Sequence, residues 1–417
     1  MAGDNNVILT TRTFANLMLM DLDGRLNVVK NMTTSIDSEF AKKDYKIGDN
    51  VQVRKPYRFV GGYGVEWDPE PLVDQVTQVQ VNQVPHVHFE WGSIGKTLDI
   101  REAMRLYTKP ASITMASKMN AAGATWAANN ALNSVGTPGT APVDEVAYLT
   151  ALDTLIEMGL PENEDTVLIT NRRMSSKFIS GTKGLYNPME IISQQWKKGE
   201  VGKEQLGSTW LLDQTINTRT NGTFAGSIVV NGAQQAEGGN NAQMTLTISG
   251  ITGTLQVGDK FVIGSASSAT VGGVNSVYPT TRQSNGRQQK FTVMQVSSAN
   301  PTSIVVAPAI TPSGQYQNVD SAAVDQAIIT FEGTTGLTGI QQGLLMHENA
   351  FAFITVPIHE PEAGMGAKVE QFTDPKTKVT ISHIGYYDGD NAIEKHKFQA
   401  LVGYGNLYRE LACVIQA

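Results

Sequence analysis

The sequence predicts an α+β fold interrupted by a separate antiparallel, β-barrel-like module. Three features of its 417 residues carry that reading. Residues 99 to 132 are rich in helix formers, with few breakers. The segments on either side alternate apolar and polar residues with period two, as half-buried strands do. Composition also shifts abruptly near residue 216: between 221 and 320 only seven residues are charged, against 64 of the other 317.

At 45.0 kDa the chain exceeds the size that one core usually serves, so two or more packed units are expected. Charged residues make up 17%, below the roughly 25% of ordinary soluble domains. Gly, Thr, Ser, Asn and Gln replace them, which suits turn-rich β-structure or extensive protein contact, where unpaired charge is costly to bury. A net charge of -7 argues against a protein that grips nucleic acid by neutralising phosphates. Any DNA it meets is expected to be enclosed rather than bound. The one cysteine, Cys413, allows no intrachain disulfide and fits a reducing cytoplasm. No stretch approaches the roughly 20 apolar residues of a membrane span. The run from Leu17 to Met20 lacks a basic flank and is followed by Asp21 and Asp23, unlike a secretory signal.

The elements follow in order. Phe14, Leu17, Met18, Leu22, Leu26 and Val29 recur near helical spacing, giving an amphipathic segment that ends around Lys30. It reads either as an arm docked on a neighbour or as a helix packed on its own domain. From Asp49 the pattern becomes strand-like: Val51 and Val53 alternate, Gly61-Gly62-Tyr63-Gly64 turns, and the chain returns through Val79, Val81, Val87, Phe89 and Trp91. All five are odd-numbered and so share one face. A long hairpin with so little core needs another surface to lie on. Phe14, Leu17, Tyr63 and Trp67 are the candidate subunit-interface anchors, with packing inside the hairpin the alternative for the last two.

In the helix at 99 to 132, Pro110 reads as a first-turn residue and Gly123 is the one later breaker. Gly136, Pro138 and Gly139 end it. A second helix is expected from Val143 to Met158, with Val146, Leu149, Leu152, Leu155 and Ile156 on one face, Asp144 and Glu145 in its first turn and Gly159 at its end. Val167 to Ile169 reads as a buried strand, and Asn171 as the cap of a helix that Gly181 stops. The low-charge module carries strand-like runs at Ser227–Val230, Met244–Ile248, Lys260–Ile263, Phe291–Val296 and Ser303–Val306. Helical and mixed structure is expected to resume from Gly343 to Phe353. The chain then ends in a hairpin: Val379, Ile381 and His383 lead into the turn Asp388-Gly389-Asp390, and Phe398, Ala400 and Val402 lead out.

Motifs that suggest chemistry do not hold up. Gly92-Ser93-Ile94-Gly95-Lys96-Thr97 resembles part of a phosphate-binding loop, but Glu90 stands where the first glycine is required, and a carboxylate there repels phosphate. His86, His88 and Glu90 share one strand face, yet the other four histidines offer no paired spacing to complete a metal site. Asp388-Gly389-Asp390 has its glycine at the wrong step for a calcium loop. No nucleophile elbow is present. No catalytic residue, cofactor or metal is assigned.

Five stretches, in order, carry a resemblance to a known family. They are Ile47-Gly48-Asp49-Asn50-Val51 with Pro56; Lys96-Thr97-Leu98-Asp99-Ile100 through Pro110-Ala111; Val257-Gly258-Asp259-Lys260-Phe261; Met346-His347-Glu348-Asn349-Ala350-Phe351-Ala352; and Val402-Gly403-Tyr404-Gly405 with Arg409-Glu410-Leu411-Ala412-Cys413. Together they resemble tailed-phage major capsid proteins of the Hong-Kong-phage (Johnson) fold, within the podoviral coat-protein family that carries an inserted domain. Tyr408 departs from the proline expected before the glutamate.

The resemblance implies an N-terminal arm (1–45), an extended hairpin or E-loop (46–98), a P-domain with a spine helix (99–165), and a first A-domain part (166–215). The inserted β-rich domain (216–335), a second A-domain part (336–375) and C-terminal P-domain strands (376–417) follow. It implies no enzyme but a structural protein in many copies, as pentamers and hexamers of an icosahedral shell. Its partners would be scaffolding protein and portal during assembly and enclosed double-stranded DNA without sequence-specific binding; no membrane is involved. Assembly would take place in the host bacterial cytoplasm, and the product would be the virion capsid. Two other readings stand beside it: a surface decoration or adhesive β-rich virion protein, and an encapsulin-like nanocompartment shell.

Overall fold

A computed structural model describes residues 22, 25–34, 50–55, 58–61, 64, 70, 75–92, 100–161, 164–182, 204–233, 235–237, 242–269, 273–358, 367–374, 378–391 and 393–417. The chain forms two compact units. One comprises Met1–Val53, Thr77–Gly123 and Phe351–Asn406; the other comprises Arg54–Val76, Ala124–Ala350 and Leu407–Ala417.

The first unit holds two four-stranded sheets and most of the long helix α1 (Ile100–Asn130). Strands Asn50–Lys55, Gln75–Gln83, Leu401–Asn406 and Phe351–Val356 are neighbours in one sheet; Ala367–Thr373, Thr380–Asp388, Ile393–Gln399 and His86–Gly92 form the other. The expected single return strand is therefore two. Val79 and Val81 belong to the first sheet and Val87, Phe89 and Trp91 to the second. The break falls at Val84-Pro85, because proline has no N–H to continue a ladder. Pro110 likewise lies inside α1, not in a first turn. The helix runs through it although one i→i−4 bond is missing. Glycine makes room for a neighbour here: a Cβ on Gly405 would collide with the Val79 side chain.

The second unit is built on a six-stranded mixed sheet ordered Asn133–Val135, Ala412–Gln416, Gln342–His347, Thr166–Thr170, Ser208–Leu212 and Glu204–Gln205. Helix α2 (Val146–Glu157) and helix α3 (Arg172–Gly181) share its core, where Tyr148, Phe178 and Trp210 meet with ring centroids 5.0 to 5.1 Å apart. Asn171 caps α3 as expected, its Oδ1 accepting from the Met174 amide at 2.9 Å. On α2 the apolar face read from the sequence is buried in part: Leu155 lies in the core and Leu152 packs against it. Tyr148, Ala151 and Leu155 point inward, while Val146, Leu149 and Ile156 are exposed. Burying the tyrosine ring against two other aromatics outweighs burying Val146. Gly343 to Phe353 forms no α-helix: Gln342–His347 and Phe351–Val356 are strands joined by a short 3-10 turn. A central strand buried on both faces reads as a continuous apolar run, which periodicity cannot separate from a buried helix.

Within this unit, residues 228 to 331 form a second sheet, all antiparallel, ordered Ile329–Phe331, Lys260–Ile263, Lys290–Val293, Ser303–Ala307, Met244–Ser249 and Val229–Val230. Its edges meet, since the Val230 amide donates to Ala327 O and the Ile329 amide to Ile228 O, each at 2.9 Å. The sheet thus closes on itself. Along Met244–Ser249, Met244, Leu246 and Ile248 enter its core while Thr245 and Thr247 face out. The chain enters and leaves this barrel as a neck, where Arg219 and Ile340 exchange two backbone bonds of 2.9 and 3.0 Å.

Helix α2 shares the second unit's core, and the last strand, Ala412–Gln416, pairs inside the same unit.

Candidate intersubunit surface

The sequence-predicted anchors Phe14, Leu17, Tyr63 and Trp67 lie outside the described residues. The described end of the N-terminal segment packs on its own unit: Leu22, Leu26, Val28 and Val29 are buried. Asn120 of α1 fixes them, its Oδ1 accepting from the Val28 and Val29 amides (3.3 and 3.4 Å) and its Nδ2 donating to Arg25 O (2.8 Å).

Among the described residues near the hairpin turn, Phe59 and Val60 are exposed apolar residues, 60% and 49% accessible. Glu70 receives the Val60 and Gly61 amides at 2.7 and 2.6 Å. Those bonds, the Val60 one foremost, hold its carboxyl below the ordinary glutamate range. From the barrel, Arg282 donates to the carbonyls of Phe59 (2.7 Å) and Val60 (3.2 Å). Next to them Arg58 pairs with Glu410 at 2.8 Å. Sequence reading missed this group. The available signals were an apolar pair directly before the Gly61-Gly62 turn, and an arginine in a module that has only four basic residues between 221 and 320.

A second exposed apolar strip lies on and before α2, at Val143, Val146, Leu149 and Ile156. In the first unit, Tyr386 and Tyr387 are exposed beside the Asp388-Gly389-Asp390 turn. Asp388 closes that turn on itself, accepting from the Asp390 amide (3.2 Å), Asn391 Nδ2 (3.1 Å) and Lys395 Nζ (3.2 Å).

Buried and half-buried polar groups join the barrel to the mixed sheet. Arg219 pairs with Asp259, and Lys290 with Glu332 at 2.5 Å. Glu332 also accepts from Ser134 Oγ (2.7 Å) and Gln416 Nε2 (2.6 Å). Burial works against the charge of Glu332, but Lys290 and the Ser134 hydroxyl keep its carboxyl below the ordinary value. Lys260, fully buried, donates to Ala131 O and to Thr292 Oγ1 (3.1 Å). Burial pulls its ammonium down to about 7 despite Glu332 nearby. The Cys413 thiol is pushed up to about 12 by burial. A cleft of about 450 Å³ beside this group includes Ser134, Thr154, Ser276, Arg287 and Lys290 in its lining. Arg287 is paired with Glu157 (3.2 Å) and Lys290 with Glu332, so both cations in it are already neutralised.

His86 and His88 are exposed and stacked, ring centroids 5.9 Å apart. The fold also pairs two histidines that sequence spacing did not: His383 Nε2 lies 3.1 Å from His396 Nδ1, on adjacent strands. Among the described residues no group of three or more His, Cys, Asp or Glu is arranged to hold a metal ion. Among the same residues, no helix is long and apolar enough to cross a membrane.

Exposed apolar residues on α2 and at 59–60, with the latter held by a clamp of the same unit, suit a structural subunit that further protein completes. The sequence matches the family described as "P22 coat protein - gene protein 5" over residues 32–414, and the chain belongs to that family. It is a structural major capsid protein of a tailed phage, with the α+β capsid fold that the resemblance implied, and its copies form the shell of the virion. No curated protein matches the sequence. Similar solved structures include the capsid of Ralstonia phage GP4 (7% identity, TM-score 0.43, covering 93% of this chain and 86% of that one). Mycobacterium phage Che8 gives 10% identity and TM-score 0.42 over 92% and 89% of the two chains. A virus-like particle from Pyrococcus furiosus gives 7% and 0.40 over 97% and 98%.

Proposed function

We propose that copies of this chain close as pentamers and hexamers into an icosahedral shell around the double-stranded DNA of the phage. The family match over residues 32–414 is the observation that carries this reading. Scaffolding protein and portal act during assembly in the host bacterial cytoplasm, and the DNA is enclosed without sequence-specific contacts, in keeping with the net charge of -7. The arm (1–45) lies along one neighbour and the hairpin (46–98) over another. Helix α1 serves as the spine, and 216–335 is the inserted domain. The work is mechanical, and no turnover, cofactor or metal is assigned.

Negative-stain electron microscopy of the purified protein, expressed alone and with scaffolding protein, tests the proposal. Closed shells or shell fragments, lost on deleting 1–30 or 60–70, support it. A persistent monomer under both conditions sinks it.

A further inference from the structure

Residues 59 to 61 are gripped from two sides. On one side Glu70 takes two consecutive amides, Val60 and Gly61; on the other Arg282 gives hydrogen bonds to two consecutive carbonyls, Phe59 and Val60. Gln315 links the jaws: its carbonyl accepts from Arg282 at 3.3 Å and its Nε2 lies 3.4 Å from Glu70 Oε2. Arg282 is itself fixed in a left-handed turn (φ 55°), its amide donating to Tyr278 O at 2.8 Å. Glu70 and Arg282 both bind the main chain of residues 59 to 61, so the grip sets the position of the tip and leaves the Phe59 and Val60 side chains exposed. An exposed phenylalanine held this way has lost conformational freedom before any partner arrives, which favours capture.

We propose that Arg282 of the barrel is a positioning residue for shell assembly: it holds the tip of the 46–98 segment so that Phe59 and Val60 are presented as an anchor for a second copy of the chain. The inference rests on the reading that copies assemble into a shell. It adds that the barrel controls the geometry of the hairpin within its own chain. A bare apolar tip on a chain that builds shells fits a second copy better than nucleic acid, since neither residue offers charge or a hydrogen bond to a phosphate.

The test uses the full-length chain and three variants, Arg282→Ala, Arg282→Lys and Phe59→Ser. Hydrogen exchange of the unassembled protein reads the grip; light scattering and electron microscopy read assembly. Arg282→Ala should speed exchange at Val60 and Gly61 about tenfold, as expected for losing charge-assisted bonds at an exposed site, with barrel exchange unchanged. Its shells should form slowly and vary in diameter. Arg282→Lys, which keeps the charge but not the fork, should recover only part of the protection. Phe59→Ser should keep wild-type protection and lose assembly. Unchanged protection and uniform shells in Arg282→Ala overturn the proposal, as does normal assembly of Phe59→Ser. If the wild-type chain forms no shells at all, the assembly reading fails, while the exchange data still decide whether Arg282 holds the tip.

Discussion

Lys260 is the odd charge in the group that joins barrel and sheet. Arg219 and Asp259 pair with each other, and so do Lys290 and Glu332, leaving a fifth ionisable group with only Ala131 O and Thr292 Oγ1 as hydrogen-bond acceptors. With its ammonium pulled from 10.5 to about 7, the folded chain releases this proton near neutrality while the unfolded chain keeps it up to about 10.5. Between those values the unfolded state binds more protons, so stability rises with pH and is lost as pH falls toward 7. The slope approaches about 1.4 kcal/mol per pH unit, or about 2 kcal/mol between pH 7 and 8.5. Above that window Cys413, Tyr148 and Tyr404, whose burial raises them, begin to pull the other way as their unfolded counterparts ionise. Lys260→Met keeps an unbranched side chain one atom shorter and removes the titrating group. Urea denaturation of the unassembled chain at pH 6, 7, 7.5, 8 and 8.5, followed by tryptophan fluorescence, should show wild type gaining about 2 kcal/mol over the variant from pH 7 to 8.5. At pH 7 the variant should be the more stable of the two. Parallel profiles for the two proteins would refute the reasoning.

Asn120→Ala leaves two buried amides and one carbonyl of the 25–29 segment without their partner; a loss of about 2 kcal/mol is expected, with exchange at Val28 and Val29 accelerated before the rest of the unit. Gly181→Ala places a Cβ against the Val143 carbonyl oxygen, and a destabilisation of about 3 kcal/mol or more should appear as a lowered urea midpoint with unchanged slope. Cys413 should resist a thiol reagent at pH 8 in the native chain and react fully in denaturant; fast native labelling would contradict its burial. Pro110→Ala restores a missing helix bond in α1 and should stabilise by about 1 to 3 kcal/mol, read by thermal unfolding.

Local signals in the sequence located the elements that cap, turn or alternate on their own. Asn171 and Gly181 bounded α3, Met244 to Ile248 alternated as a strand, and Asp388-Gly389-Asp390 made the final turn. Misreadings arose where tertiary partners decide. Helix α2 offers two apolar stripes, and only the neighbouring rings of Phe178 and Trp210 select the one with Tyr148. Gly343 to Met346 is an apolar run because the central strand Gln342–His347 buries both faces, which erases the period that would have identified it. The break at Val84-Pro85 separates two sheets, yet the odd-numbered pattern runs across it undisturbed. The Arg282 grip was illegible for a simpler reason: its contacts to the tip are to backbone atoms more than two hundred residues away, and backbone atoms leave no trace in a sequence pattern.

The neck at Arg219 and Ile340 ties the order in which the second unit can fold to the barrel. The strands Thr166–Thr170 and Ser208–Leu212 precede the insertion, while Gln342–His347 and Ala412–Gln416 follow it, so the mixed sheet forms only when both sides meet. An unfolded tether of roughly 120 residues would oppose that meeting by about 4 kcal/mol of chain entropy, a large share of the 5–15 kcal/mol that ordinarily keeps a domain folded. A barrel that has already closed delivers its two ends one hydrogen bond apart and removes the penalty. Lesions deep in the barrel core, at Phe261 or Phe291, should therefore be felt as failure of a sheet they never touch.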